Sequence, residues 1–187
     1  MAGPGVPGVL IFLDRWDHLL VELLYGGERV DAATVLMVAL SLVGGGWAML
    51  GLVPLAVSRR TRRFACFVFG VLAVQATLVW GLKASIARVR PWKALGLHPT
   101  WTAPQDFSFP SGHATGSFAF ASFAAVVLLA TRRGGARIGS LALFAVATLV
   151  AYSRIHLGAH WPSDVVAGAV LGTLVGTVGA RAYLDAV

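Results

Sequence analysis

Residues 64–82 read FACFVFGVLAVQATLVWGL, 19 consecutive positions without a charged side chain. A helix rises about 1.5 Å per residue, so roughly 20 apolar residues cross the ~30 Å hydrocarbon core of a bilayer. The stretch is therefore expected to span a membrane. Arg59, Arg60, Arg62 and Arg63 precede it and Lys83 follows it. Four similar runs lie at Thr34 to Val57, Ala114 to Ala130, Ile138 to Tyr152 and Val165 to Leu184. Composition agrees: 57% of residues are apolar and 12% charged, against about 25% charged in a soluble domain. The expected fold class is all-α, an integral membrane helical bundle with about five transmembrane helices plus an N-terminal amphipathic interfacial helix. Residues 1–187 form one domain, with an N-terminal interfacial segment at 1–31 and an outer loop at 83–112.

The segment Val9 to Leu24 carries Asp14, Arg15, Asp17, His18 and Glu22, too many ionisable groups for a span. Leu13, Trp16, Leu20 and Leu24 share one helical face and Asp14, His18 and Glu22 another, which suits a helix lying in the interface or one packed against the bundle rim. Met1 to Gly8 is Gly- and Pro-rich with no basic stretch, so no cleavable signal peptide is expected. The single Cys66 cannot form a disulfide within the chain and reads as a small core residue. The net charge of +7 does not signal nucleic acid, because the cations sit in short clusters between apolar runs. Short cytoplasmic connections are rich in Arg and Lys. The clusters at Arg59–Arg63, Arg132–Arg137 and Arg181 therefore share the cytoplasmic side, and the outer loop and the connection Ser153 to Asp164 face outward.

Those two outward connections hold three short strings. The first runs from Lys83 to Arg90-Pro91. On a continuing helix, Lys83 and Arg90 would lie two turns apart on one face and converge on one anion; alternatively they are snorkelling interfacial cations. The second is Pro110-Ser111-Gly112-His113, in which Ser111 reads as the N-cap of the third span and the free amides of the first turn suit phosphate. Ser111 is not read as a nucleophile, because residues two apart on a helix point apart and His113 cannot activate it. The third is Ser153-Arg154 with His160 and Asp164, where Pro162 opens the last span. Asp164, four residues after His160, can fix the imidazole tautomer and leave the other nitrogen free to attack. The alternative for that pair is capping and solvation. Arg154 adds a planar fork of donors, and His156 reads as structural. Three cations, two histidines and one carboxylate can hold a phosphate and cut its ester without a metal.

Together the strings resemble the type 2 phosphatidic acid phosphatase superfamily. Its pattern is Lys, six residues, Arg-Pro; then Pro-Ser-Gly-His; then Ser-Arg, five residues, His, three residues, Asp. Every specified position between Lys83 and Asp164 matches. The resemblance implies a helical bundle with a histidine nucleophile, although commoner members have six spans. On that reading Lys83, Arg90, Ser111, Gly112 and Arg154 bind phosphate, His160 attacks phosphorus oriented by Asp164, and His113 protonates the leaving oxygen. Neither cofactor nor metal ion is expected. The expected partners are the bilayer and a membrane lipid phosphate, with undecaprenyl diphosphate, phosphatidylglycerophosphate, phosphatidic acid and a lipid A phosphate left open; nucleic acid is not expected. The expected location is a bacterial plasma membrane with the site on its extracytoplasmic face. Trp92 and Trp101 could anchor the outer loop at the interface, and Gly168, Gly172, Gly176 and Ala180 form a small-residue face for packing inside the bundle. A vanadium-dependent haloperoxidase shares the pocket but is soluble. A transporter or lipid-binding pseudoenzyme would keep the cations but would not need His160 backed by Asp164.

Overall fold

A computed structural model describes residues 8–27, 30–45, 51, 53–98 and 104–186. Eight helices are seen among them: α1 (Gly8–Leu24), α2 (Ala32–Val43), α3 (Val53–Val57), α4 (Arg62–Ile86), α5 (Pro91–Ala94), α6 (Gly112–Ala130), α7 (Ala136–His156) and α8 (Pro162–Asp185). Four of these, α4, α6, α7 and α8, are long and apolar enough to cross a membrane. The expected first span, 34–57, is seen as α2 and α3, with α2 capped at Gly44 and residues 46–50 and 52 outside the described residues. Residues 1–7 and Trp101 also lie outside them.

The bundle is inside-out relative to a soluble protein. Along α8, Gly168, Gly172, Gly176 and Ala180 are buried while Val166, Val170, Leu174 and Val178 are each more than half exposed. Both stripes repeat at helical spacing on opposing faces. A surface of this kind is stable against lipid and costly against water. The small stripe lets α8 lie against α6, the most extensive helix contact in the bundle. A Cβ placed on Gly172 would stand 2.2 Å from the Thr115 carbonyl oxygen, and one on Gly176 would stand 2.2 Å from that of Ala119. At the end marked by the arginine clusters, Phe64, Phe123 and Tyr183 pack edge to face around Val68 and Ala180. Cys66 departs from expectation: it is exposed on the lipid-facing side of α4, because Ala65 and Val68 take the inward positions.

Helix α1 packs against α8 and α7 with Leu24 of its apolar stripe against the core, but its most buried positions lie beside that stripe. Asp17 and Val21 turn inward, at 2% and 1% exposure, while Trp16 remains half exposed. The reason is electrostatic: Asp17 meets the half-buried guanidinium of Arg88.

Candidate active site

All three strings meet where the C-terminal ends of α4 and α7 face the N-terminal ends of α6 and α8. Lys83 and Arg90 converge, but not along one helical face. Helix α4 stops at Ile86, Ala87 takes the left-handed conformation (φ 50°), and the chain runs extended to Arg90. Pro91 disfavours a helical conformation at Arg90 and opens α5 as its first residue. Both cations then grip one carboxylate of the outer loop. Lys83 Nζ lies 2.9 Å from Asp106 Oδ2, and Arg90 Nη2 lies 2.6 Å from Asp106 Oδ1. Burial alone would raise the Asp106 pKa, but the bonds and charges of Lys83 and Arg90 outweigh it and bring it down to about 2. Asp106 is therefore an anion held where Lys83 and Arg90, two of the cations expected to bind phosphate, converge.

Ser111 caps α6 as expected, its hydroxyl accepting from the Ala114 amide, and the Ser111 amide in turn donates to the Asp164 carbonyl (3.0 Å). His113 follows in the first turn, with the cations Arg154, Arg90 and Lys83 and the His160 ring as its neighbours. Helix α7 runs two residues beyond Arg154, longer than the expected Ile138 to Tyr152, because the guanidinium finds a partner: Nη1 donates to the Ser41 hydroxyl of α2. Arg154 Nε is buried with no partner among the described residues. The His156 ring lies against the backbone of Gly26, with Nε2 buried and no partner among the described residues.

His160 sits in the turn between α7 and α8, 2% exposed. Its Nε2 is 3.2 Å from Arg90 Nη1. A guanidinium only donates, so Nε2 is the acceptor and the proton belongs on Nδ1. Nδ1 faces Asp164 Oδ2 at 3.6 Å, an ion-pair separation rather than a full hydrogen bond. Asp164 is heavily supported. Its Oδ2 accepts from the Trp161 amide (3.0 Å) and the Ser108 hydroxyl, and its Oδ1 from Arg88 Nη1 (2.8 Å). Burial pushes the His160 pKa down to about 3, with Asp164 opposing and Arg90 and Arg154 adding to the shift. The imidazole is thus neutral at physiological pH.

A consequence follows for stability. Unfolded, His160 titrates near 6.5; folded, near 3. Between these values the unfolded chain binds more protons, so stability falls as pH drops through the window. Thermal unfolding in detergent is expected to show a lower midpoint at pH 5 than at pH 7, with a smaller difference in His160→Asn. Equal differences in the two proteins would refute this assignment.

Behind Asp164 stands a layer that sequence reasoning missed. Arg88 Nη2 donates to Asp17 Oδ2 (2.6 Å), and Asp17 Oδ1 accepts from the Ser163 amide (2.8 Å). Arg88 also lies over the Trp161 ring at 5.2 Å. Asp17, counted in the sequence as a reason for α1 not to span, is the buried anion that anchors α1 to the site. Asp17→Ala leaves Arg88 without one of its two carboxylates, and loss of one partner from a buried pair costs about 3 kcal/mol or more. The expected result is a lower unfolding midpoint together with a lower kcat, which thermal denaturation and steady-state assay would measure. Trp92 likewise departs from its expected anchoring role: its amide bonds the Gly158 carbonyl (3.2 Å) and its indole nitrogen is sealed inside.

Beneath His113 a cavity of about 620 Å³ descends between α2, α4, α6 and α7. Its walls are made largely of glycine, alanine and apolar side chains, Gly44, Ala76, Gly116, Phe120 and Val146 among them. It leads from the polar end into the depth of the spans.

Comparison with known proteins agrees with this architecture. The PAP2 superfamily model matches residues 64–187. An undecaprenyl-diphosphatase of Sulfolobus acidocaldarius is 33% identical over 152 residues, which cover 79% of this chain and 69% of that one. A decaprenylphosphoryl-5-phosphoribose phosphatase of Mycobacterium tuberculosis is 34% identical over 138 residues, covering 71% and 69%. In fold, the crystal structure of a transmembrane PAP2 type phosphatidylglycerolphosphate phosphatase from Bacillus subtilis superimposes with a TM-score of 0.76 at 22% identity, covering 98% of this chain and 89% of that one. The bundle and its site define an integral membrane enzyme of phosphate-ester hydrolysis. The chain belongs to the PAP2 superfamily, and with it to the hydrolases that act on lipid phosphates.

Proposed function

We propose that this chain removes a terminal phosphate from a membrane lipid through a phosphohistidine on His160, without a metal. The observation that carries the reading is the His160 ring, neutral, with Nε2 toward the phosphate cations and Nδ1 toward Asp164. The incoming phosphate takes the place of the Asp106 carboxylate on Lys83 and Arg90, and Arg154 Nε and the first-turn amide of Gly112 complete its shell, the Ser111 amide being held by the Asp164 carbonyl. These groups balance the charge on the equatorial oxygens in the transition state. As Arg90 turns to the phosphate, the Nε2 lone pair is released to attack phosphorus. The imidazolium formed is stabilised by Asp164. His113 gives a proton to the departing lipid oxygen, then takes one from the water that attacks the phosphohistidine. Phosphate and free His160 result. All the positive charge the reaction needs comes from side chains, so release is expected to survive a chelator.

The cavity under His113 suits a tail that stays among the spans while the phosphate reaches the polar end. The candidate substrates are undecaprenyl diphosphate, phosphatidylglycerophosphate and phosphatidic acid, the first two in keeping with the names of relatives. The arginine clusters at the opposite end of the bundle support a site on the extracytoplasmic face of a plasma membrane. The test is phosphate release by the detergent-purified protein, with chelator present, across these lipids, followed by rapid quench with labelled substrate. Release together with a phosphoprotein that is stable to base and labile to acid supports the reading. Absence of release from every lipid would move the assignment to a transporter or lipid-binding pseudoenzyme; release without the phosphoprotein would remove the histidine intermediate.

A further inference from the structure

Gln75 is a polar residue in the middle of the span 64–82, and nothing in the catalytic geometry uses it. Its side chain lines the cavity under His113 and is only 6% exposed. Its Oε1 is buried with no hydrogen-bond partner among the described residues. An unpaired amide oxygen in such a place is unfavourable, because its lost hydration is not replaced, and among the described residues the rest of the cavity wall offers mainly apolar side chains and small residues. A group that expensive marks a ligand atom absent from the resting protein.

Its depth identifies that atom. Helices α4 and α6 pack side by side in opposite directions: a Cβ on Gly112 would lie 3.7 Å from Val79, and one on Gly116 would lie 3.6 Å from Gln75 Nε2. The amide therefore sits one helical turn, about 6 Å, inward of the α6 N-terminus where Ser111, Gly112 and His113 stand. His113 is the proton donor of the proposed reaction, which places the leaving oxygen at that upper level. A substrate atom beside Gln75 is then some three to five bonds further along the leaving alcohol. In a simple alkyl or prenyl phosphate that position is hydrocarbon. In an acylglycerol phosphate it is an ester or hydroxyl oxygen, and in a sugar phosphate it is a ring hydroxyl. A hydroxyl can donate to Oε1, and an ester carbonyl can accept from the amide nitrogen.

We propose that Gln75 is a specificity-determining residue, selecting lipid phosphates whose alcohol carries a hydrogen-bonding oxygen three to five bonds from the leaving oxygen. This rests on the phosphatase reading above. The amide holds the head of the alcohol and the apolar cavity takes the tail beneath it.

The full-length protein in detergent would be assayed on three lipids of matched chain length: dioleoylglycerol 3-phosphate, an alkyl glucoside 6-phosphate and oleyl monophosphate, which has no such oxygen. The wild type is expected to favour one of the first two over oleyl phosphate by about 10-fold in kcat/KM, the size of one good hydrogen bond, and the faster names the source as acylglycerol or sugar. In Gln75→Leu that preference is expected to fall to near unity, through loss on the favoured lipid and not on oleyl phosphate. Its unfolding midpoint should be equal or higher, because the orphan amide is gone. Gln75→Met, which fills the site flexibly, should behave alike. Equal losses on all three lipids in both variants, or a preference that survives both, would overturn the proposal. If the wild type releases phosphate from none of the three, the phosphatase reading itself fails and this inference falls with it.

Discussion

Replacing His160 with alanine is expected to lower phosphate release by at least about 10³-fold and to abolish the labelled phosphoprotein, since deletion of a nucleophile removes the covalent route rather than weakening it. The protein should still fold. His160 is buried, but it is held by one contact to Arg90 and a loose one to Asp164, and Arg90 keeps its bonds to the Ala159 carbonyl (2.6 Å) and to Asp106. Loss of activity with the unfolding midpoint kept within a few degrees is the result that supports the role. The variant also separates the nucleophile from the phosphate cradle. Lys83, Arg90 and Arg154 remain, so a non-hydrolysed lipid phosphate should still bind. A variant that retained wild-type turnover would sink the mechanism.

The second large effect is expected far from the chemistry. Gly172→Leu puts a side chain where even a Cβ would stand 2.2 Å from the Thr115 carbonyl oxygen and 2.9 Å from the Ala119 amide nitrogen. Those are backbone atoms of α6 and cannot swing aside. The helices must separate, which costs about 3 kcal/mol or more on top of the lost contact. The same contact sets the distance from Ser111 and His113 on α6 to Asp164 on α8, bridged by the Ser111 amide on the Asp164 carbonyl. Gly172→Leu is therefore expected to lower both the yield of folded protein and kcat, measured by size-exclusion recovery from detergent and by phosphate release. Val170→Leu, on the lipid-facing stripe of the same helix, is the control and should change neither. Comparable damage in the control would show that α8 does not use the two faces differently.

Much of the molecule was legible because bilayer and chemistry each impose a short-range rule. Span length and absence of charge mark α4, α6, α7 and α8, and the cations, histidines and carboxylate of the three strings are rare enough among apolar runs to stand out. The α8 glycines at helical spacing were readable as a packing face for the same reason. Boundaries were less so. Helix α4 ends at Ile86 rather than running to Pro91, since Ala87 adopts a conformation that L-residues seldom take and that no residue type there announces. Helix α7 passes beyond Tyr152, and the Arg154 guanidinium there donates to a hydroxyl on α2, 113 residues away.

By itself, the sequence determined that this chain is a membrane helical bundle with its arginine clusters at one end, and it supplied the expectation that Lys83, Arg90, His113, Arg154, His160 and Asp164 act as one site. These follow from local periodicity and from residue types whose chemistry has few other uses inside a membrane. Only the tertiary structure decided that Asp17 of α1 and Arg88 stand behind Asp164, that Asp106 pairs with Lys83 and Arg90, that His160 Nε2 faces Arg90 and Nδ1 faces Asp164, and that Gln75 lines the cavity under His113. Each depends on atoms from segments distant in the chain. An ionisable or amide side chain is costly when buried alone and stable when paired, so its role is settled by the partner that the fold brings to it.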